Sequence, residues 1–313
     1  MNWVALRNAG VRIIIFVCGF PLIAWVVYAL GKLLVPLVDG ADKAILAACN
    51  PDEYAPILDQ FMRALTDYTN FLIFTPLLSC AVASLLYRLI RKGKIVFTGL
   101  LAVETLVMAA LAVLGKIWPN KTYIGANVFL VIGILVAFGA AAIVFHRMND
   151  DSIRRFFWVF LLVFASGYLS GMVATERIKK AVARPRPLNE ANKPWNEQVR
   201  VIPDEVLRGR NSYPSGHTAG TFGLLTPLFW YIRNRKGRAA LIGWGVLQGY
   251  ARVYTAAHFP FCCLMGAFLG FSVGTLAFFT LGGPSLREMT MFTGGRAYKP
   301  ATLRSAATSC GVR

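Results

Sequence analysis

Of the three histidines in this 313-residue chain, His217 and His258 each stand where a polar segment enters an apolar run. Cations gather in the same stretch. Lys179 and Lys180 precede Ala-Val-Ala-Arg184-Pro185-Arg186-Pro187, and Arg252 lies six residues before His258. Between them, Tyr213-Pro214-Ser215-Gly216-His217 opens an apolar run. A helix that starts on Ser and Gly presents free N–H groups and the positive end of its dipole, which suits an anion. Lysine and arginine add charge-assisted hydrogen bonds fitted to phosphate. Two imidazoles then supply a nucleophile and a proton donor, so the chemistry in view is phosphoryl transfer. Singly, the pieces read as a proline-stiffened linker, a helix cap and a snorkelling arginine. Together, on one membrane face, they read as a site. His146 ends an earlier run and reads as a loop residue.

The elements that position these residues must be membrane helices. The chain is 56% hydrophobic and 15% charged, against about 25% charged in soluble domains, and its mean hydropathy is +0.54. That excludes a soluble enzyme and a disordered chain. Apolar runs at about 12–38, 70–90, 95–116, 123–146, 156–178, 215–233, 239–256 and 260–282 predict an all-α polytopic bundle of about eight transmembrane helices. Arg7 and Arg12 before the first run suggest an uncleaved signal anchor. Tyr54, Ile57, Leu58, Phe61, Met62, Leu65 and Tyr68 recur at helical spacing and predict an interfacial amphipathic helix near 51–68.

Basic residues cluster in alternate loops, which predicts cytoplasmic termini. The net charge of +18 therefore reads as topology, not nucleic-acid binding. The first external loop is acidic, with Asp39, Asp42, Asp52, Glu53, Asp59 and Asp67. Residues 179–214 break the pattern, since this external segment is strongly basic. An anionic substrate would account for the exception. The six cysteines form no CxxC pair, and no carboxylate cluster suggests a metal. No cofactor is expected.

The order and spacing resemble the type 2 phosphatidic acid phosphatase superfamily, which shares its catalytic core with vanadium haloperoxidases. The family pattern is K-x6-R-P, then P-S-G-H, then S-R-x5-H-x3-D. Lys179 with Arg186-Pro187, Pro214-Ser215-Gly216-His217, and Arg252 with His258 match it, over about residues 156–282. The resemblance implies that His258 attacks phosphorus and forms a phosphohistidine while His217 protonates the leaving oxygen. It implies that Lys179, Arg186, Arg252, Ser215 and the Gly216 N–H hold the phosphate. Two positions depart from the pattern. Ala251 stands for the serine, and Cys262 stands at the orienting position where the family has aspartate. The glucose-6-phosphatase branch also lacks an acid there. Glu176, one turn before Lys179, either compensates or pairs with Lys179 or Lys180.

The expected protein is thus an integral phosphatase of a lipid phosphate or diphosphate. Its site would face the external, periplasmic side of a bacterial inner membrane. Membrane spans would occupy 1–155, the catalytic core 156–282 and a cytoplasmic tail 283–313. The alternatives are a lipid phosphotransferase and a weak or inactive relative that binds anionic lipid, the latter because of Cys262. The substrate lipid, the oligomeric state and the role of the hairpin 95–146 stay open.

Overall fold

A computed structural model describes residues 3–50, 53, 55–90, 93–114, 124–202, 209, 211–232 and 234–282. The expected tail at 283–313 lies outside the described residues. The described residues of all eight predicted runs are almost all helical, and the described residues contain no strand. The helices are α1 (Trp3–Cys49), α2 (Pro56–Ile90), α3 (Lys94–Val113), α4 (Ile124–Arg147), α5 (Asp150–Tyr168), α6 (Thr175–Val182), α7 (Gly216–Tyr231), α8 (Arg235–Tyr254) and α9 (Pro260–Thr280). A π-helical turn, Leu169–Ala174, joins α5 to α6 in one continuous rod. Among the described residues, six helical segments are long and apolar enough to cross a membrane: α1, α2, α3, α4, the α5–α6 rod and α9. The chain is an integral membrane protein. At 16 residues α7 is shorter than a bilayer core requires, and α8 is diluted by Arg235, Lys236, Arg238, Gln248 and Arg252.

Two boundaries differ from the sequence reading. α1 does not stop near residue 38 but runs on through Asp39, Asp42 and Lys43 to Cys49. Its last turns are held by side-chain partners, which a hydropathy window does not register. The amphipathic stretch near 51–68 is not a separate interfacial helix. From Pro56 it is the first part of α2, continuous with the second span. Part of its apolar face is covered by protein, where Met62 and Leu65 pack with Ile202, Ala251 and Tyr254, while Ile57 and Leu58 stay exposed.

The helix starts follow capping chemistry. The Asn149 side chain accepts from the Ser152 N–H at 2.7 Å, with Asp150 and Asp151 in the first turn of α5. Ser215 caps α7 and Asn234 caps α8. Pro260 opens α9 where its missing N–H is harmless.

α7 and α9 pack at the centre of the bundle through small residues. Gly266, Gly270 and Gly274 recur every four residues on the α9 face that meets α7. A Cβ on Gly270 would collide with the Ala219 carbonyl oxygen, and one on Gly266 would lie 2.6 Å from the Ser215 oxygen. Such close backbone approach is the usual reason for glycine at helix crossings in lipid. Gly270→Ala is expected to lower stability by about 1–3 kcal/mol, as overpacking does. A fall in the detergent-solubilised unfolding temperature is the check, and an unchanged value would mean the helices separate freely.

Candidate active site

The site gathers at the end of the bundle where α6, α8 and the segment before α7 meet. Its cations come from helix ends. Lys179 lies in the last turn of α6, and its Nζ sits 3.3 Å from Glu176 Oε1, so Glu176 takes the ion-pair role. The same Nζ is 3.3 Å from where a Gly216 Cβ would stand, so this glycine lets the ammonium approach the start of α7. Arg252 occupies the last turn of α8 and is buried. Arg186 is buried too, with its Nε donating to Asn211 Oδ1 at 2.7 Å and its Nη1 to the Ala257 carbonyl at 3.4 Å.

Both helices that carry these cations end on a left-handed alanine. Ala183 has φ 54° and Ala256 has φ 53°. Glycine adopts this conformation freely, whereas alanine pays about 1 kcal/mol in backbone strain. At Ala256 the turn is a Schellman motif: the Ala256 N–H donates to Val253 O and the Ala257 N–H to Arg252 O. The His258 N–H also donates to Arg252 O, at 3.1 Å. The turn therefore places the histidine directly against the helix end that bears the arginine.

His258 is 1% exposed. Its Nδ1 lies 2.7 Å from the Ser212 carbonyl oxygen. A carbonyl can only accept, so Nδ1 carries the ring proton and Nε2 keeps its lone pair. Burial, then the charges of Arg252, Arg186, Lys179 and His217, hold the ring well below the usual imidazole range. His217, in the first turn of α7, is open to a cleft and lies in the field of the same three cations. The structure thus brings Lys179, Arg186, Arg252, His217 and His258 into one cluster. Ser215 Oγ lies 2.9 Å from Thr218 Oγ1 and accepts from the Thr218 N–H, so its hydroxyl serves as the α7 cap beside that cluster.

Cys262 lies one hydroxyl away from the His258 ring, because Ser212 Oγ is 3.4 Å from Cys262 Sγ and 3.4 Å from His258 Nδ1. Its Sγ also lies 3.4 Å from Arg184 Nη1, while the ring proton goes to the Ser212 carbonyl. Sequence reasoning missed Ser212, because a main-chain acceptor carries no residue signature.

The cleft has a volume of about 450 Å³ and runs between α2, α5 and α7. Lys179, Gly216 and His217 form its polar end, and Phe71, Phe74, Phe164, Tyr168, Met172 and Leu224 its apolar wall. The π-turn lies alongside, where Gly171 meets Gly220. π-turns inside α-helices recur at functional sites.

Part of the basic charge at 179–214 is paired, two arginines with acidic residues near the α1–α2 turn and one lysine within the segment. Arg184 pairs with Asp39 and Asp42, Arg200 pairs with Asp59, and Lys193 pairs with Glu190. Asn50 joins the same contact, donating to Tyr254 O and accepting from the Arg200 N–H.

A family model matches residues 156–282, from α5 to just beyond α9, and its description is the PAP2 superfamily. This segment belongs to the PAP2 superfamily. A lipid A 4'-phosphatase of Bacteroides thetaiotaomicron is 30% identical over 102 residues, which are 33% of this chain and 44% of that protein. The matched stretch thus covers less than half of that relative. No solved structure matches the chain. All five members of the histidine and cation cluster lie inside the PAP2 segment. Asp39, Asp42, Asn50 and Asp59 come from outside it.

Proposed function

We propose that this protein is a membrane phosphatase that hydrolyses a lipid phosphate or diphosphate through a phosphohistidine. The observation that carries the reading is a cluster of two histidines and three cations, of which Lys179 and His217 line the polar end of an apolar cleft. A phosphate headgroup suits the first and a hydrocarbon chain the second. The lipid A 4'-phosphatase relative supports a phosphorylated lipid as substrate class.

In this reading, Lys179, Arg186, Arg252 and the N–H groups opening α7 hold the phosphate oxygens. Fixed donors of this kind stabilise charge that shifts onto those oxygens in the transition state. His258 Nε2 attacks phosphorus in line with the ester bond. The P–N bond forms as the P–O bond breaks, and His217 gives its proton to the departing oxygen. Water then attacks the phosphohistidine, losing a proton to His217 and releasing phosphate and neutral His258. The Ser212 carbonyl holds Nδ1–H throughout, which favours an active enzyme over an inactive lipid-binding relative despite Cys262. The alternation of basic and acidic loops favours a site on the external face. Residues 156–282 are the catalytic core, with 1–155 as spans that frame it.

The test is phosphate release by purified protein in liposomes across phosphatidic acid, phosphatidylglycerol phosphate, polyprenyl diphosphate and lipid A. Release from at least one lipid, with none from Lys179→Ala, is expected. No release from any lipid would overturn the reading. Transfer of label to a second lipid would redefine it as a phosphotransferase.

A pH profile follows from the His258 environment. The ring must be neutral to attack, and its depressed pKa keeps it neutral through the range in which a free imidazole, near 6.5, becomes protonated. The acid limb of kcat/KM is therefore expected below the free-imidazole value of about 6.5. A limb at or above about 6.5 would contradict the buried cationic setting.

A further inference from the structure

We propose that Asp42 and Arg184 position the His258 ring, so that α1, outside the PAP2 segment, sets the geometry of the nucleophile. The proposal rests on His258 being that nucleophile. Arg184 touches both structural neighbours of the histidine. Its main-chain oxygen accepts from the Ser212 N–H at 3.0 Å, and Ser212 is the residue whose carbonyl takes the ring proton. Its guanidinium lies 4.1 Å over the ring of Phe259, the residue after His258. Asp42 completes the frame. One carboxylate oxygen accepts from Arg184 Nη1 at 2.6 Å, and the other accepts from the Phe261 N–H at 2.8 Å. Asp39 takes Arg184 Nη2 at 2.9 Å. Tyr213, next to Ser212, is tied to α1 as well, through its hydroxyl and the Val27 carbonyl at 2.7 Å.

Arg184 and Asp42 are almost fully buried, with side chains 2% and 4% exposed. Burying an ion pair is seldom the most stable way to join helices, because apolar packing of equal volume serves as well or better. What the pair adds is direction. It fixes Ser212 from one side and residues 259–261 from the other, and the ring hangs between them. Cys262 Sγ meets Arg184 Nη1 within the same frame. A carboxylate at position 262 would thus lie against the guanidinium that Asp42 now holds.

The chain has three histidines, so ¹⁵N-histidine labelling with His258→Ala for assignment reports the His258 tautomer directly. Spectra are recorded in liposomes near pH 8, alongside steady-state kinetics on the preferred lipid. Wild type is expected to show the Nδ1–H tautomer alone. Asp42→Asn and Arg184→Gln are expected to show both tautomers and to lose roughly 10²-fold in kcat, the scale of a one-ångström misplacement, with KM little changed. Asp42→Asn/Cys262→Asp returns a carboxylate to Arg184, while the amide oxygen at position 42 can still accept from the Phe261 N–H. It is expected to recover at least tenfold of the loss and the single tautomer. Arg184→Lys keeps a cation for Asp42 but loses the planar fork over Phe259, so it too is expected to mix tautomers if Arg184→Gln does not fold.

Variants that keep one tautomer and wild-type turnover would overturn the proposal. So would turnover lost together with unfolding temperature, at one tautomer and without recovery in the double variant; that result means adhesion of α1 only. If wild type hydrolyses no lipid yet its tautomer is single and becomes mixed in the variants, the positioning stands and the phosphatase reading falls.

Discussion

Replacing His258 with alanine is expected to abolish phosphate release, with a loss of about 10⁴-fold or more, the scale on which removal of a catalytic nucleophile acts. No other described side chain combines burial among the phosphate-holding cations with a lone pair fixed by a main-chain acceptor. His217→Ala is expected to do less, and unequally. Protonation of the leaving oxygen matters most for a poor leaving group, so a phosphate monoester should suffer more than a diphosphate, whose leaving phosphate is already a weak base. Rapid acid-free quench with ³²P-labelled lipid should trap label on wild-type protein and none on His258→Ala. Label on His258→Ala would assign the attack to another residue. An unchanged elution profile and unfolding temperature would show that the loss is chemical.

Arg252→Gln is expected to be the second most damaging change, at about 10²–10³-fold in kcat, the range for removing one oxyanion donor from a preorganised site. Its guanidinium is buried and acts on both histidines. Removing a positive neighbour makes protonation of His258 easier, so its pKa rises. The acid limb of kcat/KM should therefore move toward higher pH in Arg252→Gln, and toward higher pH by less in Arg186→Gln. A fall in kcat with no movement of the limb would place Arg252 on the phosphate but away from the nucleophile. Arg252→Lys should recover little, because an ammonium cannot donate in a planar pair.

The cluster was legible because its residues are spaced by motif and each sits at a helix end. Lys179, Arg186, His217, Arg252 and His258 lie together in the structure, with Ser215 capping α7 beside them. The frame around them was not legible. Asp39, Asp42 and Lys43 look like the start of a loop to any hydropathy window, yet Arg184 and the α9 N-terminus hold that stretch helical. The break between an amphipathic helix and the second span was an artefact of composition. No glycine or proline separates Tyr68 from Asn70, so the backbone continues. The basic exception at 179–214 was visible, but its cause was only half read. Lys179 and Arg186 join the site, whereas Arg184 and Arg200 are bound to aspartates from the α1–α2 region. Pairing across more than 140 residues leaves no local pattern in the sequence.

Those long-range pairs also set a schedule for biosynthesis. Asp42 and Arg184 are 142 residues apart, and Asp59 and Arg200 are 141 apart. A ribosome adding about 5–20 residues per second reaches each arginine roughly 7–30 seconds after its aspartate. Through that interval the buried Asp42 and Asp59 lack the guanidinium groups that bind them in the fold, and burying them unpaired is prohibitive. The upper turns of α1 must stay hydrated until the fifth span has been inserted and the segment after it released. The end of the bundle that holds the site is therefore the last part of the molecule to close. A nascent chain stalled before residue 184 would present that open hairpin to the membrane's quality-control proteases.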